Sequence, residues 1–182
     1  MTTIWDAIKS IYGSLTDEEP VPPLHVGEVM SLWMLLTIYE EGQIIYKVAL
    51  NTTTDPELKH AVENAVKESM EDIKMIKDFM IKEGVPLPSV LQAKPDSKSD
   101  DIPQGAKFTD EELANLIVGK VTTCIALCGQ AVSQSLRTDV SLILLKSMGR
   151  LIQYSAPYRS MMRKRGWIKT PPYYYPPGGR ST

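Results

Sequence analysis

Histidine is almost missing from this chain, with two in 182 residues, and cysteine is equally scarce at two. So little imidazole leaves scant material for histidine-based catalysis or a histidine-rich metal centre. Two cysteines cannot form the disulfide framework of a small secreted domain. Long uncharged apolar runs are missing as well: every window of 18 residues contains a charge, so no segment is expected to cross a membrane. The opening Met1 to Asp6 lacks the basic and apolar regions of a signal peptide. A net charge of −2 argues against the chain as a whole binding nucleic acid. The phosphate-cradling glycine loops, the G-x-S-x-G elbow and the H-E-x-x-H metal motif are all absent, and no nucleophile–base pair marks an enzyme. With 43% hydrophobic and 23% charged residues, the remainder reads as one ordinary globular domain.

The modest net charge conceals an asymmetry. Residues 1–90 carry a net −8 and residues 91–182 a net +6; from Arg137 onward nine bases face a single acid, Asp139. Such a split suits either a solvated basic face or a complementary contact with another copy or an acidic surface.

Periodicity predicts an all-α fold. Residues 1–23 hold a short amphipathic stretch, Ile4, Trp5, Ile8 and Ile11, followed by an acidic, proline-punctuated linker. Four long helices are expected over about 24–50, 55–83, 109–137 and 139–165. In the first, Val26, Met30, Trp33, Thr37, Ile44 and Val48 form the apparent apolar stripe. Asp55-Pro56 caps the second, whose inner stripe runs from Leu58 through Val62, Val66, Ser69, Ile73 and Ile76 to Met80. Gly84 stops that helix. Thr109 to Glu112 is a capping box for the third helix, with Leu113, Ile117, Val121, Cys124, Cys128 and Ala131 inward. Asp139 is the expected cap of the fourth, Pro157 its kink and Gly166 its end. Short first and third links make antiparallel hairpins. The middle link, 84–108, is long enough to run the full bundle, which favours a ferritin-like four-helix bundle with a crossover over an up-down-up-down one. Residues 167–182 form a Pro/Tyr-rich tail.

Ferritin-like bundles can hold two metal ions on inward glutamates and E-x-x-H pairs from all four helices. Here the third helix has acids only in its first turn, and the fourth has only Asp139. Glu57 to His60 is formally E-x-x-H, yet it opens the second helix, away from mid-bundle. The chain is therefore expected to be non-enzymatic and to hold no cofactor or metal. A partial carboxylate site of Glu40 or Glu41 level with Glu68 stays open as an alternative. So does a small-molecule or partner-binding bundle with His25 and Trp33 lining an end pocket. Cys124 and Cys128 read as small buried thiols.

The least generic stretch closes the fourth helix: Met162-Arg163-Lys164-Arg165-Gly166-Trp167, then prolines around Tyr173, Tyr174 and Tyr175. Basic residues suit the negative end of a helix dipole, and the tail reads as a stiff polyproline-like strip. Arg163, Lys164, Arg165, Trp167, Tyr173, Tyr174 and Tyr175 are the candidate interaction residues. With Ser133 to Arg137 at the last helix turn, this ending resembles the spore coat protein F family of endospore-forming bacteria, over roughly residues 108–177. Leu24 to Glu28 looks like related ferritin-like proteins from bacilli. The sequence departs from many such relatives at Gln134, where they look to carry an acid, and around Gln153-Tyr154, where it lacks a histidine. The resemblance implies a structural protein of the spore coat, made in the mother-cell cytosol and assembled with other coat proteins and possible further copies of itself, with no nucleic-acid or membrane partner.

Overall fold

The computed structural model describes residues 21–174. The expected short helix at Ile4 to Ile11 and Tyr175 lie outside that range. Four α-helices make up the fold: α1 (Val26–Thr52), α2 (Pro56–Lys82), α3 (Asp110–Gln134) and α4 (Thr138–Lys164), with a short 3₁₀ turn at Ser99–Asp101. No strand occurs among the described residues.

Each helix end has a local cause. The Asp55 carboxylate accepts the backbone N–H groups of Glu57 and Leu58 at 2.9 and 2.8 Å, and Pro56 needs no acceptor at the first helical position. Thr109 and Glu112 form the capping box of α3. Gly84 and Gly166, both at φ 71°, end α2 and α4 in the same way. Val85 N–H bonds back to Met80 O and Trp167 N–H to Met162 O, each at 2.9 Å, which folds an apolar side chain under the helix it follows.

The bundle is ferritin-like in topology. Arg137, in the α3–α4 turn, binds Glu83 at the end of α2 and Pro22 before α1, so these termini share one end of the molecule. Arg165, after α4, binds Asp55 in the α1–α2 turn at the other end. The segment from Glu83 to Thr109 must therefore travel the whole bundle length. Val85 and Leu87 pack against the core, Lys47 pairs with Asp96, and Asn51 and Thr52 hydrogen-bond Pro95 and Ser99, which lays the crossover beside α1. Helix α1 packs on α2 and α3, and α4 on α3 and α2, all as antiparallel neighbours.

One helix faces the core differently from its expected stripe. The buried residues of α1 include Leu32, Leu35, Leu36, Tyr39, Tyr46 and Ala49, whereas Val26 is 82% and Met30 54% exposed, with Trp33 also outside. Positions 26, 30 and 33 lie about 200° around the helix from 28, 32 and 35, so α1 is apolar on two opposite sides. The leucines and tyrosines went inward, while Trp33, the largest side chain of α1, stayed 39% exposed. Truncating any of the fully buried Leu32, Leu35 or Leu36 to alanine should cost about 2–5 kcal/mol. Helix α3 is also apolar, with a stretch of mean hydropathy 1.5, long enough by length and composition to cross a membrane. In this fold Leu113, Ile117, Val121, Cys124, Cys128 and Ala131 form one wall of the core.

Candidate functional site

The basic ending expected to act as a surface divides into an inner and an outer part. Arg165 is committed internally: Nε and Nη2 hold both oxygens of Asp55 at 2.9 and 3.1 Å, Nη1 reaches Glu57 at 2.6 Å, and the guanidinium sits 5.3 Å from the Trp167 ring centre. Trp167 packs against the core while its carbonyl accepts from Asn115 at 3.1 Å. Ile168 also packs inward, and Lys169 pairs with Glu111. Beyond that strap the chain is free of the bundle: Tyr173 and Tyr174 are exposed, as are Arg163 and Lys164 on the last turn of α4.

The charge asymmetry of the sequence closes largely inside the molecule. Three arginines of the α4 hairpin meet acids of α2 at the two ends and the middle: Arg137 with Glu83 at 2.6 Å, Arg150 with Asp72 at 2.9 Å and Arg165 with Asp55. Acids from the negative half thus clasp bases from the positive half along one antiparallel seam.

At one end a buried knot replaces the expected cap. Asp139 does not cap α4; the cap position is Arg137, whose side chain makes no capping bond. Instead Oε1 of Glu28, on α1, accepts the N–H groups of Leu136 and Arg137 at 2.9 and 2.8 Å and the Ser135 hydroxyl at 2.8 Å. Asp139 is held by the Arg137 fork, which also lies over the Phe79 ring. His25 is the N-cap of α1, its Nδ1 accepting from Gly27 at 3.0 Å, while Glu28 Oε2 accepts the His25 N–H. His25 thus belongs to the helix cap, and the hollow beside Trp33 is a shallow apolar dent of about 300 Å³ formed with Val26, Val29 and Met30. Burial pushes the Glu28 pKa up, but the hydrogen bonds from Arg137, Ser135, His25 and Leu136 outweigh it and hold the group below the usual carboxylate range.

Mid-bundle, where a ferritin-like carboxylate centre would lie, the four helices converge on a polar cluster that periodicity did not reveal. Asp72 is 2% exposed, takes a hydrogen bond from the Tyr39 hydroxyl at 3.4 Å, and faces Arg150. Burial raises its pKa, and Arg150 lowers it without reversing the shift. Lys120 of α3 lies over the Tyr39 and Tyr46 rings at 5.2 and 4.3 Å and donates to the Tyr46 hydroxyl at 2.9 Å; burial pulls its pKa down to about 8. Gly42 makes this possible, since a Cβ there would stand 2.2 Å from the Lys120 Cε and Nζ. A cavity of about 20 Å³ lies beside Tyr39, Glu68, Asp72 and Arg150, room for one water.

These donors do not suit a di-metal centre. Both carboxylates, Glu68 and Asp72, come from α2, while α3 and α4 bring the cations Lys120 and Arg150 to the same level. Among the described residues no group of three or more His, Cys, Asp or Glu is placed to hold a metal ion. Glu40 is not level with Glu68 either: it pairs with Lys77, and Gln43 is the residue that meets Ser69, at 2.7 Å, one turn away from the expected register. Cys124 and Cys128 are buried and unlinked, and burial lifts the Cys128 thiol to about 12, which leaves it a poor nucleophile.

The family model "Protein of unknown function (DUF3231)" matches residues 15–179. An uncharacterised protein of Bacillus subtilis strain 168, YvdQ, is 25% identical over 162 residues, spanning 89% of this chain and 95% of that one. The crystal structure of a "putative spore coat protein" from Bacillus halodurans C-125 superposes with a TM-score of 0.82 at 29% identity, covering 85% of this chain and 98% of that one. A two-domain Anabaena variabilis protein with DJ-1/ThiJ/PfpI-like and ferritin-like domains matches at 0.63 with 15% identity, over 93% of this chain and 52% of that one, a likeness of fold alone.

Proposed function

We propose that this chain, which belongs to the DUF3231 family of proteins of unknown function, is a non-enzymatic structural component of the bacterial spore coat that works through protein–protein contacts. The observation that carries this reading is the near full-length likeness to the Bacillus halodurans protein named a "putative spore coat protein". The Met-x-x-x-Gly-Trp ending and its Pro/Tyr tail, similar to the spore coat protein F family, point the same way. In this reading the chain is made in the mother-cell cytosol and joins other coat proteins and further copies of itself.

The architecture supports such a role. Clasps at both ends and at the middle of the α2–α4 seam stiffen the bundle. Val26, Met30, Trp33 and Met34 leave an apolar strip outside on α1, more than a solvated helix needs. Exposed Tyr173 and Tyr174 present rigid aromatic area at low entropic cost, and Arg163 and Lys164 add exposed cations on the last turn of α4. A fluorescently tagged copy should form a ring at the spore periphery in sporulating cells. A signal that stays diffuse in the mother cell through coat assembly would rule the coat role out.

A further inference from the structure

The α2–α4 seam is clasped by arginines but opens between the Arg150 and Arg165 clasps. There a groove of about 340 Å³ separates the two helices, within the size range of small-molecule sites. Its chemistry is one-sided. No lysine or arginine lines it, and two glutamates do. Glu57 is already held by Arg165. Glu68 makes no hydrogen bond or ion pair with any described residue; burial raises its pKa, and the longer-range fields of Arg150 and Lys67 oppose that without reversing it.

Pro157 adds a second acceptor. It has no N–H, so the Gln153 carbonyl loses its normal helical partner on the wall of the groove. The register set by the Arg150–Asp72 and Arg165–Asp55 pairs brings Gln153 level with Glu68. Side chains lean toward a helix's N-terminus and carbonyls point toward its C-terminus. Because α2 and α4 are antiparallel, the Glu68 side chain and the Gln153 carbonyl lean the same way, into the groove. Its floor is the Tyr154–Tyr158 pair, stacked at 5.3 Å, whose hydroxyls are spent on the Ala61 and Ala114 carbonyls at 3.2 and 3.3 Å. Acceptors above an aromatic floor, with only the neutral Asn64 and Gln153 amides and the His60 ring as donors, fit a cation on an apolar body.

We propose that this groove binds a small primary amine, its ammonium held between the Glu68 carboxylate and the Gln153 carbonyl, its apolar body lying on Tyr154, Tyr158 and Met161. This site is separate from the outer contacts proposed for coat assembly and stands whether or not they do.

Calorimetric titration of the full chain with phenethylamine tests it, with 2-phenylethanol and 3-phenylpropionate as neutral and anionic counterparts. Saturable binding of the amine is expected, about tenfold or more tighter than the alcohol, with none of the acid. Glu68→Gln should weaken the amine about tenfold or more while the variant melts as a folded protein. Asn64→Trp, at an exposed position on the groove rim, should abolish binding by filling the space. Equal binding of amine and alcohol, no saturation at millimolar amine, or full affinity in Glu68→Gln would each overturn the proposal. Binding that emerges only after truncation past Lys169 would assign the groove to the chain's own end, and would overturn it too.

Discussion

Glu28, one turn into α1, caps a helix more than a hundred residues away by accepting the Arg137 backbone N–H at 2.8 Å. The same oxygen takes Leu136 N–H and the Ser135 hydroxyl, so one carboxylate joins the start of α1 to the start of α4. Glu28→Ala would leave those donors buried and unpaired. The expected cost is about 3 kcal/mol, read as a fall in the urea midpoint with an unchanged slope.

The same group sets an acid limit on stability. Its folded pKa is lowered, so its contribution is fully present above the ordinary value of 4.5 and is lost as pH falls through the lower folded value. The stability gap between the protein and Glu28→Gln should therefore narrow below that pH. A gap that stays constant down to the acid unfolding transition would show that the charge plays no part.

Asp72 behaves in the opposite sense. Burial raises its pKa despite Arg150, so the folded state holds this proton more tightly than the unfolded chain does. Its contribution to stability therefore falls as pH rises from below 3.8 through the folded value. Asp72→Asn, which keeps the shape and drops the charge, is expected to leave stability at neutral pH within about 1 kcal/mol of the parent or above it. Arg150 then still has Glu71 at 3.4 Å. Arg150→Met should instead cost about 3 kcal/mol, because it strands a buried carboxylate, and the loss should shrink in acid as Asp72 protonates. Equal losses from the two variants would contradict this asymmetry.

Much of this fold was legible in the residues because its signals are local. Asp55-Pro56, the Thr109–Glu112 box, Gly84 and Gly166 each act within one turn, and the length of the middle link required only the arithmetic of reach. What stayed hidden depended on distance or on symmetry. The capping of α4 by Glu28 joins residues far apart in sequence, so Asp139, the nearest acid, was the local choice. Helix α1 is apolar on two sides, so periodicity could not say which one faces the core; the outer stripe of Val26, Met30 and Trp33 scored as well as the inner one. No local pattern marks Asp72 and Lys120 as buried, because a buried charge is uncommon unless paired and their partners lie on other helices. The clasping of α2 acids by α4 arginines likewise turned an apparent surface asymmetry into an internal one.

Lys120 gives a prediction at alkaline pH. With its folded pKa pulled down to about 8, its burial opposes folding at neutral pH, and that cost lifts as pH rises past 8 toward the ordinary 10.5. Lys120→Met removes the charge and keeps an unbranched chain over Gly42, so it should stabilise the protein by about 2 kcal/mol at pH 7. The melting temperature of the parent should rise relative to Lys120→Met between pH 8 and 10. A parent that stays parallel to the variant across that range would mean that Lys120 is solvated.

The two halves of the basic ending should separate under mutation. Arg165 bridges α4 to the α1–α2 turn through Asp55 and Glu57 at 2.9 and 2.6 Å, in a partly exposed setting that screens each pair. Arg165→Ala is therefore expected to cost about 1–2 kcal/mol of stability and to loosen the Trp167 strap, visible as faster amide exchange at Trp167. Arg163→Glu with Lys164→Glu, on the exposed side of the same turn, should lower the melt by only a few degrees, the cost of acids at the negative end of the helix dipole, and leave the fold intact. If these cations and the tyrosines beyond them make the outer contacts, that charge reversal, like Trp33→Glu on α1 or truncation after Lys169, should lower self-association in sedimentation or incorporation into the coat. The truncation spares Ile168 and Lys169, which belong to the bundle, so lost assembly would not reflect lost folding. Assembly that survives all three changes would remove both surfaces from consideration.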